Sequence, residues 1–231
     1  MPPSQKTFRT YNPAQLLLLP PDLSEWVPEG HLARLVSELV DDVLDLSDIY
    51  AAYSEERGAP PYEPRLLTKL LLYGYATGIF SSRRLERATQ ELVPVRYLSC
   101  DQQPDHWTIS EFRRRHLAAL QALFVQVLDL CQEAGLVQLG HVALDGTKVK
   151  ANASKHKAVS YGRVRERQTA YRREVQRWLS QAETTDRAED RRYGRRRGDE
   201  LPKELQHAQT RLARLRKAKA ELEKQIGRAH V

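Results

Sequence analysis

Cysteine is nearly absent from this chain of 231 residues, and methionine, phenylalanine and tryptophan are scarce: two Cys, one Met, four Phe and three Trp. Cys100 and Cys131 have no metal-ligand spacing, and the chain is long enough to bury a core without disulfides or metals. Two ordinary buried thiols are the expectation. His106, His116 and His141 are spaced too irregularly for a zinc site. No apolar run approaches the roughly 20 residues that a membrane-spanning helix requires. Residues 1–15 lack the basic-then-apolar pattern of a signal peptide. These absences predict a soluble protein in a reducing, cytoplasmic setting, with no membrane partner.

What the chain does have is charge, unevenly placed. Residues 1–147 hold 13 Lys+Arg against 19 Asp+Glu, a net of −6, whereas residues 148–231 hold 24 against 11, a net of +13. Clustered Lys and Arg gain affinity for polyanions by releasing counterions from phosphates, so the second half points to a polyanionic partner. An Arg-rich solvated helix surface is the plain alternative.

Periodicity divides the chain into four parts. Residues 1–30, with Pro13, Pro20, Pro21 and Pro28 around Leu16–Leu19, read as an arm too interrupted for a long helix. Residues 31–135 read as a helical domain. Leu32, Leu35, Val36, Leu39, Val40, Val43 and Leu44 share one helix face, and Ser47 caps a short helix. A central helix starts at Pro64 and stops at Gly78, and a further helix, capped by Ser81 or Ser82, presents Arg83, Arg84 and Arg87 on its exposed side. Thr108 to Glu111 reads as a capping box before one helix that runs to Ala134, with Gly135 as its stop.

Residues 136–160 change period. His141 to Ala151 alternates around Asp145-Gly146, which predicts two short strands and a turn. Residues 161–231 return to helix with a seven-residue repeat: Val164, Tyr171 and Trp178 in one row, Val175 and Ala182 in the other, with Gln168 as a polar exception. After Tyr193-Gly-Arg-Arg-Arg-Gly198, Leu201, Ala208, Leu215 and Leu222 interleave with Leu205 and Leu212. Two heptad helices around a loop predict a basic antiparallel hairpin, about 25 residues per arm and roughly 40 Å long. The fold class is therefore mainly α, with a short β-hairpin between the helical domain and the helical hairpin. Ile226 to Val231 breaks the heptads at Gly227 and matches one reading frame of a widely used sequencing adapter, so a foreign C-terminus is expected.

The stretch Val142 to Ser154 carries the chemistry. A carboxylate at the end of an apolar strand, followed by Gly and flanked by Lys148 and Lys150, can hold a divalent cation while the lysines face phosphates. Taken alone, Asp-Gly between strands is first of all a turn signal.

The wider sequence resembles the insertion-sequence transposases of the DDE type, which join a helical N-terminal domain to an RNase-H-like catalytic core. The resemblance rests on Phe8-Arg-Thr-Tyr-Asn-Pro13 with Gln15 to Asp22, Tyr62 to Tyr75, Ser81-Ser-Arg-Arg-Leu-Glu86, Pro104 to His116, and Ala143 to His156. It implies that Asp145 is the first member of a catalytic acidic triad and a ligand of Mg²⁺ or Mn²⁺. It further implies that residues 136–160 begin an incomplete RNase-H-like α/β domain. The partner so implied is double-stranded DNA, both terminal repeats and target, in a nucleoid-associated setting. Candidate DNA contacts are Arg83, Arg84, Arg113, Arg114 and Arg115 in the helical domain, and Lys148, Lys150, Lys155 and Lys157 around the carboxylate.

In such a family member the second Asp and the Glu would lie beyond residue 231. Glu189, Asp186 and Asp190 sit in an Arg-studded helix with no apolar strand before them, where ion pairing on the helix surface is the expected role. The expectation is therefore an inactive fragment that binds no metal by itself. A non-enzymatic DNA-binding protein, dimeric through its heptads, is the alternative.

Overall fold

The computed structural model describes residues 22–53, 61–135, 161–200 and 207–229, and the regular structure within them is helical. The predicted β-hairpin at 141–151, most of the N-terminal arm and the break at Gly58–Pro61, except Pro61 itself, lie outside the described residues. Among the described residues no helix is long and apolar enough to cross a membrane.

A short 3₁₀ turn, Leu23–Trp26, precedes α1 (Leu32–Glu38), which continues as one wide turn over Leu39–Val43. Then come α2 (Ser47–Tyr50), α3 (Pro64–Ala76), α4 (Ser82–Glu91), α5 (Val93–Leu98), α6 (His106–Arg115) and α7 (Leu117–Glu133). The chain returns as α8 (Tyr161–Tyr193) and ends in α9 (Ala208–Ala229).

Helix α3 is the centre, as its nearly continuous apolar sequence requires. Leu66, Leu67 and Leu70 through Tyr73 are buried with Tyr75, and α1, α5 and α6 pack around them. Its ends follow local chemistry. Pro64 occupies the first turn, where no amide hydrogen is needed. At the other end Gly78 takes φ +78° while the Ile79 amide donates to Gly74 O (2.7 Å) and the Gly78 amide to Tyr75 O (3.2 Å). This is a Schellman closure, for which a left-handed residue is required.

Several boundaries differ from expectation. Ser47, expected as a cap, is the first residue of α2, and the cap position is Leu46, which makes no side-chain bond. Helix α6 begins at His106, capped by Asp105, whose carboxylate accepts from the Thr108 amide at 2.7 Å, so Thr108 sits inside the helix and caps nothing. The expected single helix to Ala134 is also two, because His116 leaves helical geometry at φ −109° and ψ 25°. His116 is held there by its ring contacts, 4.9 Å from the Phe112 centroid and stacked at 5.5 Å on Tyr53. Helix α5 had no periodic signal in its six residues.

The largest correction concerns α8. The seam expected to pair with the next helix is instead covered by the helical domain. Val175, Trp178, Leu179 and Ala182 are buried in one apolar cluster that also holds α3 and α7 residues, and α8 packs along α7 and against α4. Gln168 donates to Asp129 and Tyr171 to Gln132, tying α8 to α7 at their shared end. On α9, by contrast, Leu212 and Leu215 are 49% and 61% exposed. Helix α8 is thus part of the helical body rather than an arm of a separate hairpin.

Candidate functional site

Past Ala182 the inward face of α8 changes from apolar to acidic without changing period. Glu183, Asp186, Glu189 and Asp190 continue the three- and four-residue spacing of Val175, Trp178 and Ala182, so one helix face that covers α7 also delivers carboxylates to α4 and α6.

Asp186 sits at the centre, 3% exposed. One oxygen accepts from the backbone amide of Ser82 (2.8 Å), while the other accepts from Ser82 Oγ (2.6 Å) and Arg113 Nη1 (2.8 Å). The two Ser82 donors belong to the first turn of α4, whose unpaired amides and positive dipole end attract an anion, and Arg113 reaches across from α6. The neighbouring Ser81 caps the same helix through the Arg84 amide and donates its hydroxyl to Glu189 at 2.6 Å. Arg113, 1% exposed, reaches Glu183 with its second nitrogen at 2.8 Å. Burial pulls against the Arg113 charge, but Tyr75, Asp186 and Glu183 outweigh it and hold the guanidinium above its ordinary pKa. Burial drives the Tyr75 hydroxyl far above its usual value in the same interior. For Glu183, burial raises the pKa, and hydrogen bonds from Arg113 and Arg187 overcome this and leave it below the usual carboxylate range.

Arg83 performs a second joining role. Its guanidinium donates to Asp190 (2.7 Å), to Gly194 O (2.6 Å) and, through Nε, to Arg196 O (3.0 Å). It therefore satisfies carbonyls at the C-terminal end of α8, where Gly194 turns the chain at φ +61°. Arg197 closes the same turn against α4 by donating to Gln90 (2.8 Å) and Asp199 (2.6 Å).

These positions revise the arginine expectations. Arg83 and Arg113, expected on the outer surface toward DNA, lie inside, because α8 covers them and its acids neutralise them. Arg84 is exposed on α4. Arg114 is partly exposed and lies near Glu111 and Glu183, both at 3.5 Å. Arg115 is exposed but donates to Ala52 O at 2.6 Å and lies 5.1 Å over the Tyr53 ring. Asp145, Lys148, Lys150, Lys155 and Lys157 lie outside the described residues. Glu189, Asp186 and Asp190 do pair with cations and hydroxyls, but across helices and in part below the surface. Their continuation of the α8 seam was the available signal for this.

Residues 21–115 match the transposase domain family (DUF772). No curated protein and no solved structure matches the chain. The matched segment thus spans α1 to α6, and it contributes Ser81, Ser82, Arg83 and Arg113 to the cluster. Helix α8, outside the matched segment, supplies all four acids. Among the described residues no group of three or more His, Cys, Asp or Glu side chains is placed to hold a metal ion. The acids of α8 face amide, hydroxyl and guanidinium donors, so their chemistry is that of a lock between helices and not of a cation site.

Proposed function

We propose that this chain is the DNA-binding part of a DDE transposase, which engages the ends of an insertion sequence. The match of residues 21–115 to a transposase domain carries the reading. The surplus of Lys and Arg after residue 147 supports DNA as the partner, since phosphate contact is the main term in such binding. In a chain that includes all three carboxylates, the reaction is strand cleavage followed by transfer of the freed 3′ end to a target. Asp145 would be one ligand of Mg²⁺ or Mn²⁺, which stabilises charge on the attacking and leaving oxygens when bound. Lys148, Lys150, Lys155 and Lys157 would face the phosphates around it.

The test is Asp145→Asn in a transposase extended through the remaining carboxylates. The substitution is nearly isosteric and removes the charge that a hard cation requires, so cleavage of a terminal-repeat duplex is lost while the melting temperature holds. A turn aspartate would accept Asn without effect. Full cleavage by the variant would sink the assignment of Asp145.

The outward leucines of α9 favour one further reading, a homodimer through that helix. Leu212→Lys with Leu215→Lys then converts a dimer to a monomer in sedimentation runs, whereas an unchanged mass excludes α9 as the interface.

A further inference from the structure

The arginines at the junction of α4 and α8 divide into two sets. Arg83 and Arg197 are consumed in holding the turn after α8: their guanidinium groups bind Gly194 O, Arg196 O, Asp190, Asp199 and Gln90. The turn is further closed by Glu200, which accepts from the Arg197 amide (2.7 Å) and the Gly198 amide (2.9 Å). Gly198, at φ +94°, lies so close on the Tyr193 ring that an added Cβ would stand 2.9 Å from it. The second set, Arg84, Arg191, Arg195 and Arg196, is exposed and has no acidic partner among the described residues. Arg84 also lines a shallow hollow of about 150 Å³ with Arg87, Tyr193 and Arg197, and the acids there, Glu189 and Asp199, are already engaged by Ser81 and by Arg87 and Arg197.

An ordered turn holds exposed guanidinium groups in a fixed arrangement, where one polyanion can meet several of them at once. Burying one arginine to hold the backbone of its neighbours pre-organises those neighbours, which lowers the ordering cost of binding. Guanidinium also matches phosphate oxygens in a two-pronged geometry. We propose that the turn after α8, together with Arg84, is a clamp for the backbone phosphates of duplex DNA, with Arg83 as its positioning residue. The inference rests on the DNA-binding reading above and assigns that reading to one surface. Arg84, Arg195 and Arg196 contact phosphate oxygens, while Arg83 and Arg197 act through the turn.

The test uses the full chain and a labelled 30-base-pair duplex, with affinity followed by anisotropy across a salt series. Each lost phosphate contact lowers the slope of log affinity against log salt by about 0.9. The triple variant Arg84→Gln, Arg195→Gln, Arg196→Gln should therefore lower it by about 2.7, with an unchanged thermal melt and unchanged amide exchange at 194–198. Arg83→Met should lower the slope too, but with faster exchange at those amides. Because Arg83 is buried, Arg197→Gln serves as the second probe of the same effect from the surface. A triple variant that binds like the parent, while Arg214→Gln with Lys217→Gln on α9 weakens binding, overturns the clamp and leaves the DNA reading intact. A parent chain that binds no duplex overturns both. Inorganic phosphate is the control ligand: if millimolar phosphate saturates the turn and duplex does not compete with it, the surface is a small-anion site and the clamp is refuted.

Discussion

Asp186 accepts from the Ser82 amide and hydroxyl and shares Arg113 with Glu183, and this sets its expected contribution. Removing one member of a buried charge pair strands the other, at a cost of about 3–5 kcal/mol. Asp186→Ala leaves Arg113 and the first turn of α4 short of an acceptor, so the thermal midpoint should fall by on the order of 10 °C. Arg187→Ala, which removes a pair at the surface with Glu183, should stay within about 1 kcal/mol. Equal losses from the two would show that burial of the Asp186 pair adds nothing. His116 offers a pH test. Burial, aided by Arg115, lowers its pKa below 6.5, and its Nε2 is buried without a partner. Between the folded and unfolded pKa values the unfolded state binds more protons. The His116 contribution is thus fully present above about pH 6.5 and is lost as pH falls through the folded value. Melts from pH 8 to 5 should show a decline that His116→Gln flattens; parallel declines in both proteins would remove His116 as its source.

Helix α3 meets α4 at a position that only glycine fills. A Cβ on Gly74 would stand 2.6 Å from Leu85 Cδ2 and 3.0 Å from Ile79 O. Ala is the better helix former by about 1 kcal/mol, yet Leu85 is fully buried and the Schellman closure ties the Ile79 amide to Gly74 O, which keeps Ile79 against the helix, so overpacking wins. Gly74→Ala should destabilise by about 1–3 kcal/mol in urea melts, and a stabilised variant would show that α4 can shift away. Helices of this kind were legible in the sequence. The run from Pro64 to Gly78 carried its start, its stop and its burial together, and Tyr193-Gly194 marked the end of α8. The division at His116 was not legible, because the apolar pattern continues through it and ring packing on Tyr53 and Phe112 decides the backbone. Nor was the partner of α8. A heptad row states that a helix buries one face but not against what, and α7 offers as suitable a surface as α9. The burial of Arg83 and Arg113 was not legible for the same reason: without the position of α8, they are indistinguishable from Arg84 and Arg114. The Asp145 segment lies outside the described residues.

At the scale of the molecule, the matched transposase domain is completed by a helix that lies outside the match. Val175, Trp178 and Leu179 each contribute roughly 1.5–3 kcal/mol of gross burial. The acids of α8 neutralise Arg113 and Arg83, which belong to the domain. Residues 1–135 made alone should therefore expose the apolar side of α7 and leave Arg83 and Arg113 without their acids. The expected outcome is a lower and broader thermal transition than that of the full chain, with increased binding of a hydrophobic dye. Adding a peptide of residues 161–200 should raise the midpoint again and release the dye, because it restores both the apolar cover and the carboxylates. The same peptide carrying Asp186→Ala separates the two contributions: it keeps the apolar seam but leaves Arg113 with Glu183 alone and the Ser82 donors without their acceptor, so recovery should be partial. A fragment 1–135 as stable as the full chain, with no added dye binding, would mean that the domain is complete without α8. Full rescue by the Asp186→Ala peptide would instead assign the docking of α8 to its apolar face alone.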